Sequence, residues 1–133
     1  MIDEDTRVLV DYRLEQAAES LAEAETLRQA GHGPRSVANR AYYAMFYAAL
    51  ALMQVKGLAT TKHSGVIALF DREFVKSGLF DQTHSKALRA AFVLRQEGDY
   101  HTFATISTED AARTLEDGRR FVTAVRSWVQ AQA

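Results

Sequence analysis

Cysteine is absent from these 133 residues, and that removes three kinds of chemistry at once. No disulfide can staple the chain, no thiolate can act as nucleophile, and no Cys-ligated zinc site can form. Proline occurs once, at Pro34, so little interrupts a helical segment. Long apolar runs are missing too. The longest stretch, Ala41 to Val55, is broken by Gln54 and is too short to span a bilayer. The opening MIDEDTR is acidic and leads into no apolar run, so no signal peptide is expected. A soluble cytoplasmic protein with no membrane contact is the expectation these absences leave.

Excess charge of either sign is also lacking. A net charge of −1 argues against bulk nucleic-acid binding. Its distribution is uneven, however: residues 1–33 carry three basic and eight acidic side chains, whereas residues 34–106 carry nine and five. A positive middle leaves room for a local phosphate site. A solvated acidic first helix would produce the same asymmetry.

What is present suits a globular fold. Hydrophobic residues make up 47% and charged residues 25%, enough for one domain over residues 1–133 with a core of its own. Apolar residues recur at helical spacing along the whole chain, with no strand-like alternation, so the fold class is all-α with five helices. The stretch from Ser36 to Lys56 organises the rest, because its apolar side chains point in nearly every direction around a helical wheel. Alanines at 38, 41, 44, 48, 49 and 51 let neighbours approach closely, and Tyr42, Tyr43, Phe46 and Tyr47 fill the wider gaps. Each buried hydroxyl there needs a partner. Arg40 lies among them and must be paired or face a polar cleft; pairing with a carboxylate from another helix is the preferred reading.

The other boundaries follow from punctuation. Helix 1 spans about Asp5 to Ala30, with Leu14, Ala17, Ala18, Leu21, Ala24 and Leu27 as its apolar stripe. Gly31 suits the left-handed position after it, Pro34 suits the first turn of helix 2, and Gly57 stops helix 2. Thr60 or Thr61 caps helix 3, Lys62 to Lys76, which Gly78 closes. Asp81 caps helix 4, which runs to about Gln96, and His84 contributes to that local capping. Ser107 with Asp110 forms a capping box for helix 5, whose stripe includes Gly118. A glycine there calls for a close helix contact. Trp128 reads as a packing cap over the bundle, and His32 as an exposed loop residue.

Chemistry concentrates after helix 4. Leu88, Phe92, Arg95 and Asp99 recur at helical spacing, so Arg95 and Asp99 prolong an inward-facing stripe and stand within ion-pair reach. In a structural reading, Asp99 fixes Arg95 at a helix terminus that Gly98 begins to unwind. In a functional reading, Arg95 presents its planar fork to a phosphate, Asp99 orients it, and His101 serves as general acid or base. Spacing alone favours the structural reading. A second, weaker constellation is Thr61-Lys62-His63-Ser64-Gly65 at a helix start, where Lys62 and backbone N–H groups could hold an anion. It lacks P-loop glycine spacing, and His63 equally suits a satisfied helix-entry histidine. No histidine pair has metal-ligand spacing, so neither metal nor other cofactor is expected.

The segments ANRAYYAMFYAALALM, KHSGVIALFDREFVKSGLF and RQEGDY together resemble the HEPN superfamily, specifically its UPF0332-type branch of small helical proteins. The resemblance covers nearly the whole chain. It implies a five-helix, up-and-down bundle that forms a homodimer. It also implies a metal-independent endoribonuclease built on an R-x(4–6)-H motif, met here by Arg95 and His101. Carried over, Arg95 binds and polarises the scissile phosphate, and His101 exchanges protons during attack by the neighbouring 2′-hydroxyl. Asp99, Tyr100, Arg40, Tyr43, Lys62 and His63 are the supporting or phosphate-binding candidates around them. Such proteins act as toxins paired with a minimal nucleotidyltransferase antitoxin. In the paired toxins the motif reads R-x(4)-H-x-Y, whereas this chain has Tyr100 and Thr102 at those two positions. Its Arg95, Asp99 and Tyr100 instead meet the R-x-x-x-D-Y pattern of the UPF0332 branch. The alternative is therefore a non-catalytic nucleotide- or partner-binding helical module acting with a nucleotidyltransferase; a purely structural dimer comes third.

Overall fold

Asp3 opens the first helix by accepting a hydrogen bond from the Thr6 N–H at 2.8 Å, and Glu4 and Asp5 add negative charge at the positive end of the helix dipole. The computed structural model describes residues 2–31, 33–59, 62–100 and 106–132, with the backbone alone at 97–100. Among the described residues every regular element is helical: α1 (Glu4–Gln29), α2 (Pro34–Lys56), α3 (His63–Phe70), α4 (Gln82–Tyr100) and α5 (Thr108–Ala131). They form an all-α bundle of five helices, and none is long and apolar enough to cross a membrane.

Glycine punctuation falls where backbone geometry demands it. Gly31 (φ 75°) turns the chain after α1, and Gly57 (φ 68°) ends α2. Both adopt the left-handed conformation that costs a side chain-bearing residue most. Asp81 accepts from the Thr83 N–H at 2.8 Å at the start of α4, and Ser107 accepts from the Asp110 N–H at 3.0 Å at the start of α5.

Helix α2 touches all four other helices. Its buried face includes Tyr42, Met45 and Leu52 as well as every alanine from Ala38 to Ala51. Trp128 of α5 closes one end, meeting Phe74 edge-on at 5.7 Å and Phe80 at 6.0 Å. Gly118 of α5 sits against α2 as its stripe position requires. A Cβ placed there would lie 3.4 Å from the Ala41 carbonyl oxygen and from Leu21 Cδ2. That is ordinary van der Waals contact, so the site excludes large side chains but not a methyl group.

Four expectations need correction. Ala18 is exposed, and Val10 and the small Ser20 take part in the buried stripe of α1. Helix α4 continues past Gln96 to Tyr100. Helix 3 is not one α-helix: after Phe70 the chain makes a π-helical turn, Asp71–Val75, with the Lys76 N–H bonded to the Asp71 carbonyl at 2.9 Å. The wider turn keeps Phe70 and Phe74 stacked at 6.0 Å with both rings fully buried. The helix itself starts from Lys62, whose ammonium is a donor and cannot accept from first-turn N–H groups; Thr60 and Thr61 lie outside the described residues. Finally, His84 packs its ring edge-on against Phe80 and Phe121 rather than capping α4 with its side chain.

The Gly118 contact gives a two-sided expectation. Gly118→Ala should stabilise the bundle by up to ~1 kcal/mol through helix propensity. Gly118→Leu should destabilise it by roughly 1–3 kcal/mol through overpacking against Ala41 and Leu21. Urea denaturation of both variants checks this; an alanine variant weaker than the parent would mean that α2 and α5 leave no room for a methyl group.

Candidate functional site

Tyr42 is fully buried, so its hydroxyl must find a partner inside the protein. It finds one 21 residues away: the hydroxyl lies 2.7 Å from Nδ1 of His63, the first residue of α3. The imidazole stacks on Phe46 with centroids 4.2 Å apart and planes only 8° from parallel. Tyr43 meets it edge-on at 5.8 Å, and Phe92 of α4 lies 6.5 Å away. His63 is thus a half-buried ring in an aromatic surround built by α2 and α4.

Arg95 enters the same cluster from α4. Its guanidinium carbon lies 5.4 Å from the Tyr43 ring centroid and 5.8 Å from that of Tyr42, within cation–π range of both. Phe92 and Arg95, three residues apart, share the face of α4 that turns to α2. Sequence reading treated Tyr42 as a core filler with a hydroxyl to satisfy and Phe92 as part of a stripe; the structure makes both of them walls of the site.

Electrostatics follow from this enclosure. Burial pushes the His63 pKa below its usual 6.5, and the nearby positive charge of Arg95 pushes it the same way. Burial raises the Tyr42 phenol far above its ordinary value, partly opposed by Arg95, so the hydroxyl keeps its proton.

The other candidates fall elsewhere. Arg40 is half-exposed, with Nε 3.5 Å from Glu23 Oε1 of α1 and a guanidinium nitrogen 3.2 Å from the Asn39 amide oxygen. This is the interhelical carboxylate pairing expected for it. Leu27, Arg35, Ser36, Asn39 and Arg40 line a groove of about 270 Å³ on that side. Lys62 is exposed beside His63 at the start of α3. The side chains of Asp99 and Tyr100 lie outside the described residues, as do His101, Thr102 and His32. Among the described residues no cluster of His, Asp or Glu has the makings of a metal site. The structure therefore unites Tyr43, His63 and Arg95 and places Arg40 with α1.

The fold is an all-α bundle of five helices packed around α2. Residues 10–128 match the HEPN domain, and the chain belongs to the HEPN family. It is 34% identical over 122 residues to a UPF0332 protein of Thermotoga maritima, covering 92% of each chain. Two proteins of Methanocaldococcus jannaschii are similar as well. One, named "Putative toxin MJ0142", is 32% identical over 116 residues, 87% of this chain and 78% of the relative. The other, named "Putative toxin MJ0605", is 31% identical over 126 residues, 95% of this chain and 92% of the relative.

The depressed His63 pKa has a definite sign in stability. Between the lowered folded value and 6.5 the unfolded chain binds more protons than the folded one. Stability therefore rises with pH through that window and is lost as pH falls below 6.5. Melting temperatures at about pH 7.5 and about pH 5.5 should fall less in His63→Asn than in the parent. An identical acid loss in both would remove His63 from the account.

Proposed function

We propose that this chain is a toxin-like HEPN protein that cleaves RNA without a metal ion, acting as a homodimer. One observation carries the reading: Arg95 is seated on two tyrosine rings where α2, α3 and α4 meet, six positions before His101 in the chain. A guanidinium can lie on an aromatic face, and its planar fork of N–H donors matches phosphate oxygens. The family motif assigns the proton transfers to His101. The 2′-hydroxyl attacks phosphorus, its proton passes to a base, the bond to the 5′-oxygen breaks, and that oxygen is protonated as it leaves. Arg95 stabilises the charge that builds on the phosphate between these events. The names of the M. jannaschii relatives support the toxin role; a minimal nucleotidyltransferase as the neutralising partner is part of this proposal.

Association of two chains belongs to the same reading, since the motif works when both contribute. Helix α4 carries apolar surface outward: Lys86, Arg89, Ala90, Val93 and Leu94 line a shallow groove of about 400 Å³, and Val93 is 46% exposed. A twofold contact through this face would bring the α4 ends of two chains together. Sedimentation equilibrium should show a dimer across the micromolar range. A monomer throughout that range would remove the two-chain site.

Cleavage itself is tested with a mixed RNA pool in EDTA. Arg95→Ala and His101→Ala should each nearly abolish it; loss of a proton-transfer group alone typically costs about 10²–10⁴-fold. Melting temperatures of the same variants keep folding separate from chemistry. Activity indifferent to His101, with stability lost on removing Arg95, would favour the non-catalytic binding module, for which the Asp99-Tyr100 pattern speaks.

A further inference from the structure

We infer that the outward stripe of α2 is a track for single-stranded RNA, on which Arg35 and Arg40 hold phosphates beside the cleaved linkage and Tyr47 stacks on a base. This deepens the reading above and rests on RNA as the substrate.

The stripe consists of what α2 does not bury. Between Ala38 and Ala51 the residues left partly or fully accessible are Asn39, Arg40, Tyr43, Tyr47 and Leu50. From turn to turn they fall three or four residues apart, so they share one face of the helix. Exposed Ser36 extends that face by a turn, and from Ser36 to Tyr47 it runs about 16 Å along the axis. Tyr43 ties the stripe to the proposed cleavage site. Its ring centroid lies 5.4 Å from the guanidinium carbon of Arg95 on one hand and 5.9 Å from the Tyr47 ring on the other.

The track begins in a groove between α1 and α2. Arg35, Ser36, Asn39 and Arg40, with Leu27 of α1, line its volume of about 270 Å³, and no carboxylate belongs to that lining. The Asn39 amide oxygen accepts from the Arg40 guanidinium at 3.2 Å and steadies it there. Glu23 lies at the edge, on an adjoining groove that it shares with Arg40. Both partners of the Arg40–Glu23 pair are exposed and stand 3.5 Å apart. Such a pair adds little to stability, so it opens readily. A phosphate that replaces Glu23 offers the planar guanidinium two oxygens in the geometry it binds best.

Two arginines alone would suit any polyanion, and the tyrosines narrow the choice. Tyr47 is braced by Tyr43 and, more nearly edge-on, by Phe46 at 6.2 Å, yet its ring remains partly accessible. A cationic groove that follows the backbone, continued by an aromatic ring on which a base stacks, is the physical recipe for holding a single strand without reading its sequence. A duplex has its bases stacked on one another and presents no such face. An acidic peptide would engage the arginines but would gain nothing from the ring.

The test measures fluorescence anisotropy of a labelled 2′-O-methylated oligoribonucleotide with the full chain in EDTA; this probe cannot be cleaved through its 2′ position. Arg35→Gln and Arg40→Gln should each weaken binding about fivefold in 0.1 M salt and lower the salt slope by about 0.7, the loss of one phosphate contact on a single strand. Tyr47→Leu should weaken binding about fivefold or more, and Tyr47→Phe, which keeps the ring, should restore it. Glu23→Gln should tighten binding, because it removes the carboxylate that competes for Arg40. Melting temperatures are read alongside, and if Tyr47→Leu fails to fold, the arginine and Glu23 variants decide. Parental affinity and salt slope in all of these variants would overturn this inference, while loss of binding in Arg95→Gln would still leave the proposed cleavage site standing. Poly-glutamate bound as tightly as the oligonucleotide, and equally indifferent to Tyr47→Leu, would make the groove a seat for acidic protein and overturn it too. An oligonucleotide that does not bind at all would overturn both this inference and the reading of RNA as substrate.

Discussion

Helix α2 buries most of its surface against the other helices. A polar group on that inner face must therefore find its partner inside the protein, and this constraint shapes the rest of the molecule. Its alanines satisfy the constraint by having nothing to hide, and they let α1 and α5 approach. Tyr42 cannot satisfy it alone. The buried phenol requires a partner from another element, and His63 meets that need at the first residue of α3. Once the imidazole is fixed there, Phe46 beneath it and Phe92 beside it become part of one aromatic wall, and Arg95 has two ring faces on which to rest. The candidate site is thus a by-product of closing the core around α2.

Two kinds of arginine on or near α2 show how position decides role. Arg40 lies toward the start of the helix, where α1 passes with Glu23, and an exposed ion pair disposes of its charge with little net effect on stability. Arg95 comes from α4 into aromatic surroundings, where the charge acts over a low-dielectric distance and reaches His63. A comparable contrast appears at Glu25. Arg28 above all, with Arg119 of α5, pulls its carboxyl down to about 2, a surface network remote from the site chemistry.

Much of the architecture was legible because local signals coincide with real boundaries. Gly31, Gly57, Asp81 and Ser107 each perform the terminal role that their residue type suggests. Gly118 on an apolar stripe pointed to the α2–α5 contact it makes. The π turn was not legible, because Phe70 and Phe74 have the same four-residue spacing in either kind of turn. The true extent of α4 was hidden by Gly98, which reads as a terminus but is carried within the helix backbone. In the site, Arg95, His63 and Tyr43 were each visible as residue types worth attention. Their convergence was not, since Tyr42 and His63 are 21 residues apart and only tertiary packing joins them. His84 misled for a related reason: a histidine near a helix start looks like a local cap, yet its ring faces Phe80 and Phe121 from distant segments.

The π turn at Asp71–Val75 separates two registers that an uninterrupted helix would lock together. Upstream, the azimuth of α3 is dictated by His63 reaching Tyr42; downstream, it is dictated by Phe74 and Phe80 lying under Trp128. Ser85 of α4 fastens the junction by donating to the Asp71 carboxylate at 2.9 Å. The turn acts as a phase adjuster between these demands. Removing one residue from it would restore a continuous α-helix at the expense of rotating one end by about 100° relative to the other. The segment is consequently constrained in length as well as in residue type. A one-residue deletion between His63 and Phe80, harmless to composition and helix propensity, would force the chain to choose between its site and its core.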